Sequence, residues 1–214
     1  MQNSPKNQRG FTLTEMAIVI VLGGILLAAG LMAGRGQVSR AQTQDVLQII
    51  GDLQAGALSF RQRYGALPGD LPTPNTVLTG AVAGTGGANG NGLIEGAVTG
   101  AGVATGGTSE VAQAPNQLFI AGMIGKRGTV ATQYIQSQFG PVQMRSNIAG
   151  ATNAAYIAAF PAVRNVIILY NLPCEVVSEV DAALDDGGFQ TGRSQASVAA
   201  CTAGGTVARY WVPL

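Results

Sequence analysis

From Phe11 to Ala33 nearly every position is apolar, and the one charge in the run is Glu15. After Gly34, Arg35 and Gly36 the apolar residues thin to every third or fourth place. Val38, Val46, Ile49, Leu53, Ala57, Phe60 and Tyr64 then form a stripe, with Arg40, Gln44, Asp52, Arg61 and Arg63 mostly off it. The first pattern is that of a helix apolar all round, the second that of a helix buried along one side. Together they predict one helix from about Phe11 to Tyr64, about 80 Å long. Gly65-Ala-Leu-Pro-Gly69 ends it, because Pro68 cannot continue the ladder and disfavours helix at Leu67. Gly23, Gly24, Gly30, Gly34 and Gly36 are points where the helix is weakest.

Beyond it, residues 65–109 read as loop, with a Gly/Ala/Thr tract over 80–107 too poor in large side chains to build a core. A short helix is expected from Glu110 to about Met123, following Thr108-Ser109 and turning Leu118, Phe119 and Met123 inward. Three runs read as strands: Thr129–Gln136, Val163–Tyr170 and Thr206–Val212. The second, VRNVIILY, is rich in β-branched residues and is expected to be the most buried. EVVSEVDAAL (175–184) has helical spacing through Val177, Val180 and Leu184, and Gly187-Gly188 stops it. The fold class is α+β: a long N-terminal helix packed against a small antiparallel sheet. Four parts follow: a leader (1–10), a membrane-length helix (11–34), its amphipathic continuation (35–64) and a globular head (65–214).

The apolar run, as a helix, is about 35 Å long and spans a hydrocarbon core of roughly 30 Å. A carboxylate within it costs on the order of 3 kcal/mol or more at the bilayer centre, so Glu15 needs a partner or a purpose. A secretory signal has its cleavage site after the apolar region. Here the plausible point, Gly10-Phe11, precedes it, so cleavage removes a polar leader and leaves the helix on the mature chain. Lys6 and Arg9 hold the leader on the cytoplasmic side, with the bulk of the chain outside.

Of the 214 residues only 11% are charged, and the formal charge is +1. Without Lys6 and Arg9, ten of the twelve basic residues remain against eleven acidic ones, a balance unlike that of a broad polyanion-binding surface. The two cysteines, Cys174 and Cys201, fall in the portion expected outside, where an oxidising compartment favours a disulfide. There is no histidine, which removes Ser-His, Cys-His and His-metal chemistry. No phosphate-binding Gly-Lys-Ser/Thr motif is present. An enzyme is not expected, nor is a cofactor.

Arg9-Gly10-Phe11-Thr12-Leu13-Thr14-Glu15-Met16 resembles the processing site of type IV pilins and type II secretion pseudopilins. The resemblance implies a pilin-like fold, cleavage after Gly10 by a membrane prepilin peptidase and methylation of the new Phe11 amine. It implies that Glu15 serves assembly, and that other pilin or pseudopilin subunits, an inner-membrane assembly platform and, before assembly, membrane lipid are the partners. In a staggered bundle Glu15 meets the Phe11 amine of a neighbour, and pairing offsets much of the desolvation of both. The simpler reading of Glu15 is a first-turn acid complementing the helix dipole. Tyr64-Gly-Ala-Leu-Pro-Gly-Asp70, Leu184-Asp-Asp-Gly187 and Thr191-Gly-Arg193 are similar to segments of pilin-like proteins known by their prepilin-type signal. Many major pilins have a proline where this chain has Met32, which tilts the reading to a minor pilin or pseudopilin.

Other groupings offer less specific chemistry. Asn89-Gly-Asn-Gly-Leu-Ile-Glu95 and the acids Asp181, Asp185 and Asp186 are oxygen-rich enough to consider for calcium, yet both read first as ordinary loop and turn. Lys126-Arg127 and Arg61/Arg63/Tyr64 are the basic groupings relevant to nucleic acid in a DNA-uptake pilin, and read first as solvated charge. The competing function is a singly anchored periplasmic binding protein or adhesin that keeps its leader and stays in the membrane.

Overall fold

Helix α1 runs over Leu13–Tyr64. The structure, a computed structural model, describes residues 11–82, 90–128, 135–147 and 154–214, and of residues 31–36 the helical backbone alone. The chain divides into two compact units, Met1–Arg40 and Ala41–Leu214. In the first, Leu13–Gly30 of α1 is uncovered: Leu13, Ile20, Leu22 and Leu26 are all exposed, as is Phe11 just before it. The span Leu13–Gly30 is long and apolar enough, by length and composition, to cross a membrane.

In the second unit the same helix has one dry side, made of Thr43, Val46, Ile50, Leu53, Ala57 and Phe60. This differs from the expected stripe. Ile49 and Tyr64 are half-buried and Val38 is exposed, because Ile50, four beyond Val46 and three before Leu53, lies on the line they define. Burying each large side chain stabilises by about 1.5–3 kcal/mol. Gly65 closes the helix in the left-handed region (φ +78°), its amide donating to the Arg61 carbonyl at 2.9 Å.

Two helices follow, α2 (Pro74–Val77) and α3 (Glu110–Ile120). Ser109 caps α3, its hydroxyl accepting from the Ala112 amide at 3.3 Å. Glu110–Leu118 are all buried, with Val111, Ala114 and Leu118 in the main core; Phe119 is exposed, and Met123 is outside the helix and half-buried. The Gly-rich stretch also departs from expectation, since Ile94, Ala81 and Ala104 are buried in the core. Residues 83–89 of it lie outside the described residues.

The sheet contains β1 (Ile135–Gln136), β2 (Pro141–Ser146), β3 (Asn165–Pro173), β4 (Gln195–Ala196) and β5 (Thr206–Pro213) in the order β1-β2-β3-β5-β4. Every pairing is antiparallel. Residues 129–134 of the first expected strand lie outside the described residues. Strands β2 and β4 and helix α4 (Ala154–Ala159) were not among the expected elements. Helix α5 (Cys174–Leu184) turns Val176, Val177 and Val180 inward; Leu184, expected inward, is exposed, and Asp181 is buried instead.

Register fixes two faces. One carries Val142, Met144, Ile167, Leu169, Tyr210 and Val212, which join residues of α1, α3 and α5 in the main core. The other carries Val166, Ile168, Tyr170 and Trp211, which form a second cluster with Tyr156 of α4. Gln143, on that second face, donates to the Gly102 carbonyl at 2.8 Å. Gly102 itself lies on the Tyr170 ring. The α+β, pilin-like layout is therefore present, with covering layers on both faces of the sheet. A disulfide joins Cys174, the first residue of α5, to Cys201, with Cα atoms 5.7 Å apart.

Two outcomes follow for stability. Gly102 has φ +81°, and an added Cβ would come within 2.5 Å of the Tyr170 ring. Gly102→Ala is expected to destabilise by about 2–3 kcal/mol, whereas Gly100→Ala, which meets nothing within 4 Å, serves as the near-neutral control in urea unfolding. Cys201→Ser is expected to cost about 3.6 kcal/mol in the chain-entropy account of the closed loop, and reductant should produce the same loss in the parent chain only.

Candidate functional site

The first turn of α1 is built from Thr12 and Glu15. The Thr12 amide and hydroxyl each donate to Glu15 Oε2 at 2.8 Å. In return the Glu15 amide donates to Thr12 Oγ1 at 3.3 Å. This is a reciprocal capping box, and it satisfies helix-end amides that a membrane-length helix otherwise leaves open. Glu15 Oε1 takes part in no hydrogen bond or ion pair among the described residues. The arrangement thus holds one carboxylate oxygen within its own turn and leaves the other as an acceptor on an exposed surface. Phe11, also exposed, immediately precedes that turn. Gly10 lies outside the described residues. Thr12 is the functional residue the sequence reading passed over, although Thr-x-x-Glu before an apolar run was the signal for it.

The acidic groupings are each committed locally. Asp181 is buried and accepts from the Tyr210 hydroxyl at 2.5 Å. Burial pushes its carboxyl above the usual range, against the pull of that bond. Asp185 takes the amides of Arg193 and Ser194, and Asp186 that of Gly188. The three carboxylates therefore serve different donors. Asn91 accepts from the Leu93 amide at 2.7 Å and donates to Glu95 at 3.1 Å; Asn89 lies outside the described residues. Asp70, fully buried, holds this loop by accepting from the amides of Gly90 (3.0 Å) and Gly92 (2.7 Å). Of the basic groupings, Arg63 lies over the Tyr64 ring and Arg127 over Phe119, at 5.4 and 5.1 Å.

Glu110 stands apart. Its side chain is fully buried at the start of α3; Oε2 accepts from the Glu95 amide at 2.6 Å and Oε1 is without a partner among the described residues. Burial pushes the carboxyl up to about 7, the Glu95 amide pulls it down, and the charges of Asp70 and Glu95 raise it. The folded value lies above the unfolded 4.5, so the stability tied to the neutral form is complete below about pH 4.5 and is lost as pH rises through about 7. The denaturation midpoint of the parent chain should therefore fall between pH 5 and pH 8, and that of Glu110→Gln should change less over the same interval.

Residues 5–31 match the family model described as the prokaryotic N-terminal methylation motif. Comparison with curated proteins returned no match, and comparison with solved structures returned none. The matched segment contains Gly10, Phe11 and the Thr12–Glu15 turn. The chain thus carries at its N-terminus the prepilin leader signature of the type IV pilins and pseudopilins.

Proposed function

We propose that the chain is a minor pilin or pseudopilin, a structural subunit cut by prepilin peptidase between Gly10 and Phe11 and assembled through its N-terminal helix. The observation that carries this reading is an exposed apolar helical span, Leu13–Gly30, whose one carboxylate sits in its first turn, soon after Arg9-Gly10, inside the matched motif. Proteins with this signature are structural subunits, and the role follows from the physics. Residues 1–10 are a leader and 11–34 the membrane and assembly helix. Before assembly that helix is solvated by lipid of the bacterial inner membrane, with the head in the periplasm. In a filament it exchanges lipid for the helices of neighbouring subunits.

Cleavage creates a cation at Phe11. Glu15 offers that cation an acceptor, since its own turn uses only one of its oxygens. The amine of one subunit and the Glu15 of another then neutralise each other in a dry bundle. Leaving either alone there costs about 3–5 kcal/mol, so the pair selects one axial register. The assembly platform, a cytoplasmic motor and the peptidase are the partners such a path requires.

Intact mass and N-terminal sequence from native membranes, with and without the peptidase, test the reading. A chain starting at N-methylated Phe11 only when the peptidase is present supports it; an unprocessed chain in both samples overturns it and leaves a membrane-anchored domain. Glu15→Val should lower the subunit recovered in sheared filament by at least about tenfold while cleavage after Gly10 persists.

A further inference from the structure

Three of the ten basic residues that follow the leader line one cleft of the second unit. Arg61 comes from the last turn of α1, Arg164 precedes β3, and Arg193 lies in the loop after α5. The cleft has a volume of about 400 Å³, and its walls include the apolar side chains of Leu58, Val163 and Pro213. No carboxylate side chain lines it.

The arginines are placed there by contacts of their own. Arg164 donates through Nη2 to the Asn91 carbonyl at 3.0 Å and lies against Gly92. The backbone of Arg193 is held at both ends: its amide by the Asp185 carboxylate, its carbonyl by the Tyr156 hydroxyl at 2.8 Å. Among the described residues none of the three guanidinium groups forms an ion pair. A recess with three arginines and no acidic side chain favours an anion.

The complement is on the same molecule. Among the described residues of the second unit, most carboxylates are committed. Glu95 takes Asn91; Glu175 takes the Gly204 amide and Glu179 the Thr43 hydroxyl. Asp70, Glu110 and Asp181 are buried, and Asp185 and Asp186 bind backbone amides. Asp45 and Asp52 remain, exposed on α1 and without a hydrogen bond or ion pair among the described residues. Seven residues apart, they share one helix face. Arg61, nine beyond Asp52, points from roughly the opposite side of α1, about 180° away.

A molecule with an unanswered anionic face on one flank and an unanswered cationic cleft on the other is complementary to a copy of itself. We infer that the Arg61–Arg164–Arg193 cleft receives the Asp45–Asp52 face of a second copy of this chain. The contact uses two different surfaces, so it repeats along a line instead of closing a dimer. It rests on the pilin-like reading, and to the helix pairing at Glu15 it adds a second contact that fixes which flank meets which. Exposed Leu58 beside the arginines supplies apolar area, while the charges set orientation and partner choice.

Lys126 is the one lysine beyond the leader, which makes zero-length cross-linking of amine to carboxylate clean. Arg61→Lys and Arg193→Lys keep the charge and add an amine. Full-length chains, one half isotopically heavy, are treated with a carbodiimide in membranes that contain the peptidase, then digested and mapped. The expected result is light–heavy peptides joining position 61 or 193 to Asp45 or Asp52, lost in Asp45→Asn/Asp52→Asn. Links confined to one chain, to other carboxylates or to a different protein, or no links at these positions, overturn the assignment. Intact mass of the same sample reports cleavage after Gly10. A cleaved chain lacking the links fails the cleft alone, whereas an uncleaved chain fails the functional reading on mass, whatever the links show.

Discussion

Strand β3 must be kept dry on both faces, and the second unit is organised around that requirement. Val166, Ile167, Ile168 and Leu169 are all fully buried, and successive side chains of a strand point to opposite sides. One cover cannot serve such a strand. The first is supplied by α1, α3 and α5, the second by α4 and the chain around Gly102. The second cover has a chemical price for β2, whose outward Gln143 and Arg145 become buried. Gln143 meets it with the Gly102 carbonyl. The same layer carries Tyr156, whose hydroxyl fixes the Arg193 carbonyl, so burial of an apolar strand on one side of the sheet ends by positioning a cation at its rim.

The first unit follows a different pattern. Over Leu13–Gly30 the helix is apolar on every side, and the one carboxylate of that span is folded back into its own first turn. That turn satisfies helix-end amides with one carboxylate oxygen and leaves the other without a hydrogen bond among the described residues. The same helix is thus apolar all round near its start and buried along one side over the second unit.

Much of this was legible in the chain. VRNVIILY announced the most buried strand by its richness in β-branched residues, and α1 was announced by the change from continuous to periodic apolar positions. Local punctuation located Gly65 and the Ser109 cap to within a residue or two. What escaped detection depended on partners far away in sequence. PVQMRS has too many polar residues to read as a core strand until the Gly102 loop satisfies one of them. Asp70 looked like turn chemistry because the amides it binds, those of Gly90 and Gly92, are some twenty residues on. The shift from Ile49 to Ile50 was a matter of one helical step, which only the facing surface decides. Of the site, Gly10, Phe11 and Glu15 stood out by motif, while the three-arginine cleft draws on segments that no local pattern connects.

The bond between Cys174 and Cys201 has a consequence for a chain that has been cut. It joins the residue that follows β3 to the stretch that leads into β5, two strands already paired along Val166–Pro173. A protease that cuts anywhere between these cysteines would therefore release nothing. Both fragments stay covalently attached and each keeps its strand in the sheet, so a chain nicked within residues 185–200 would still hold together.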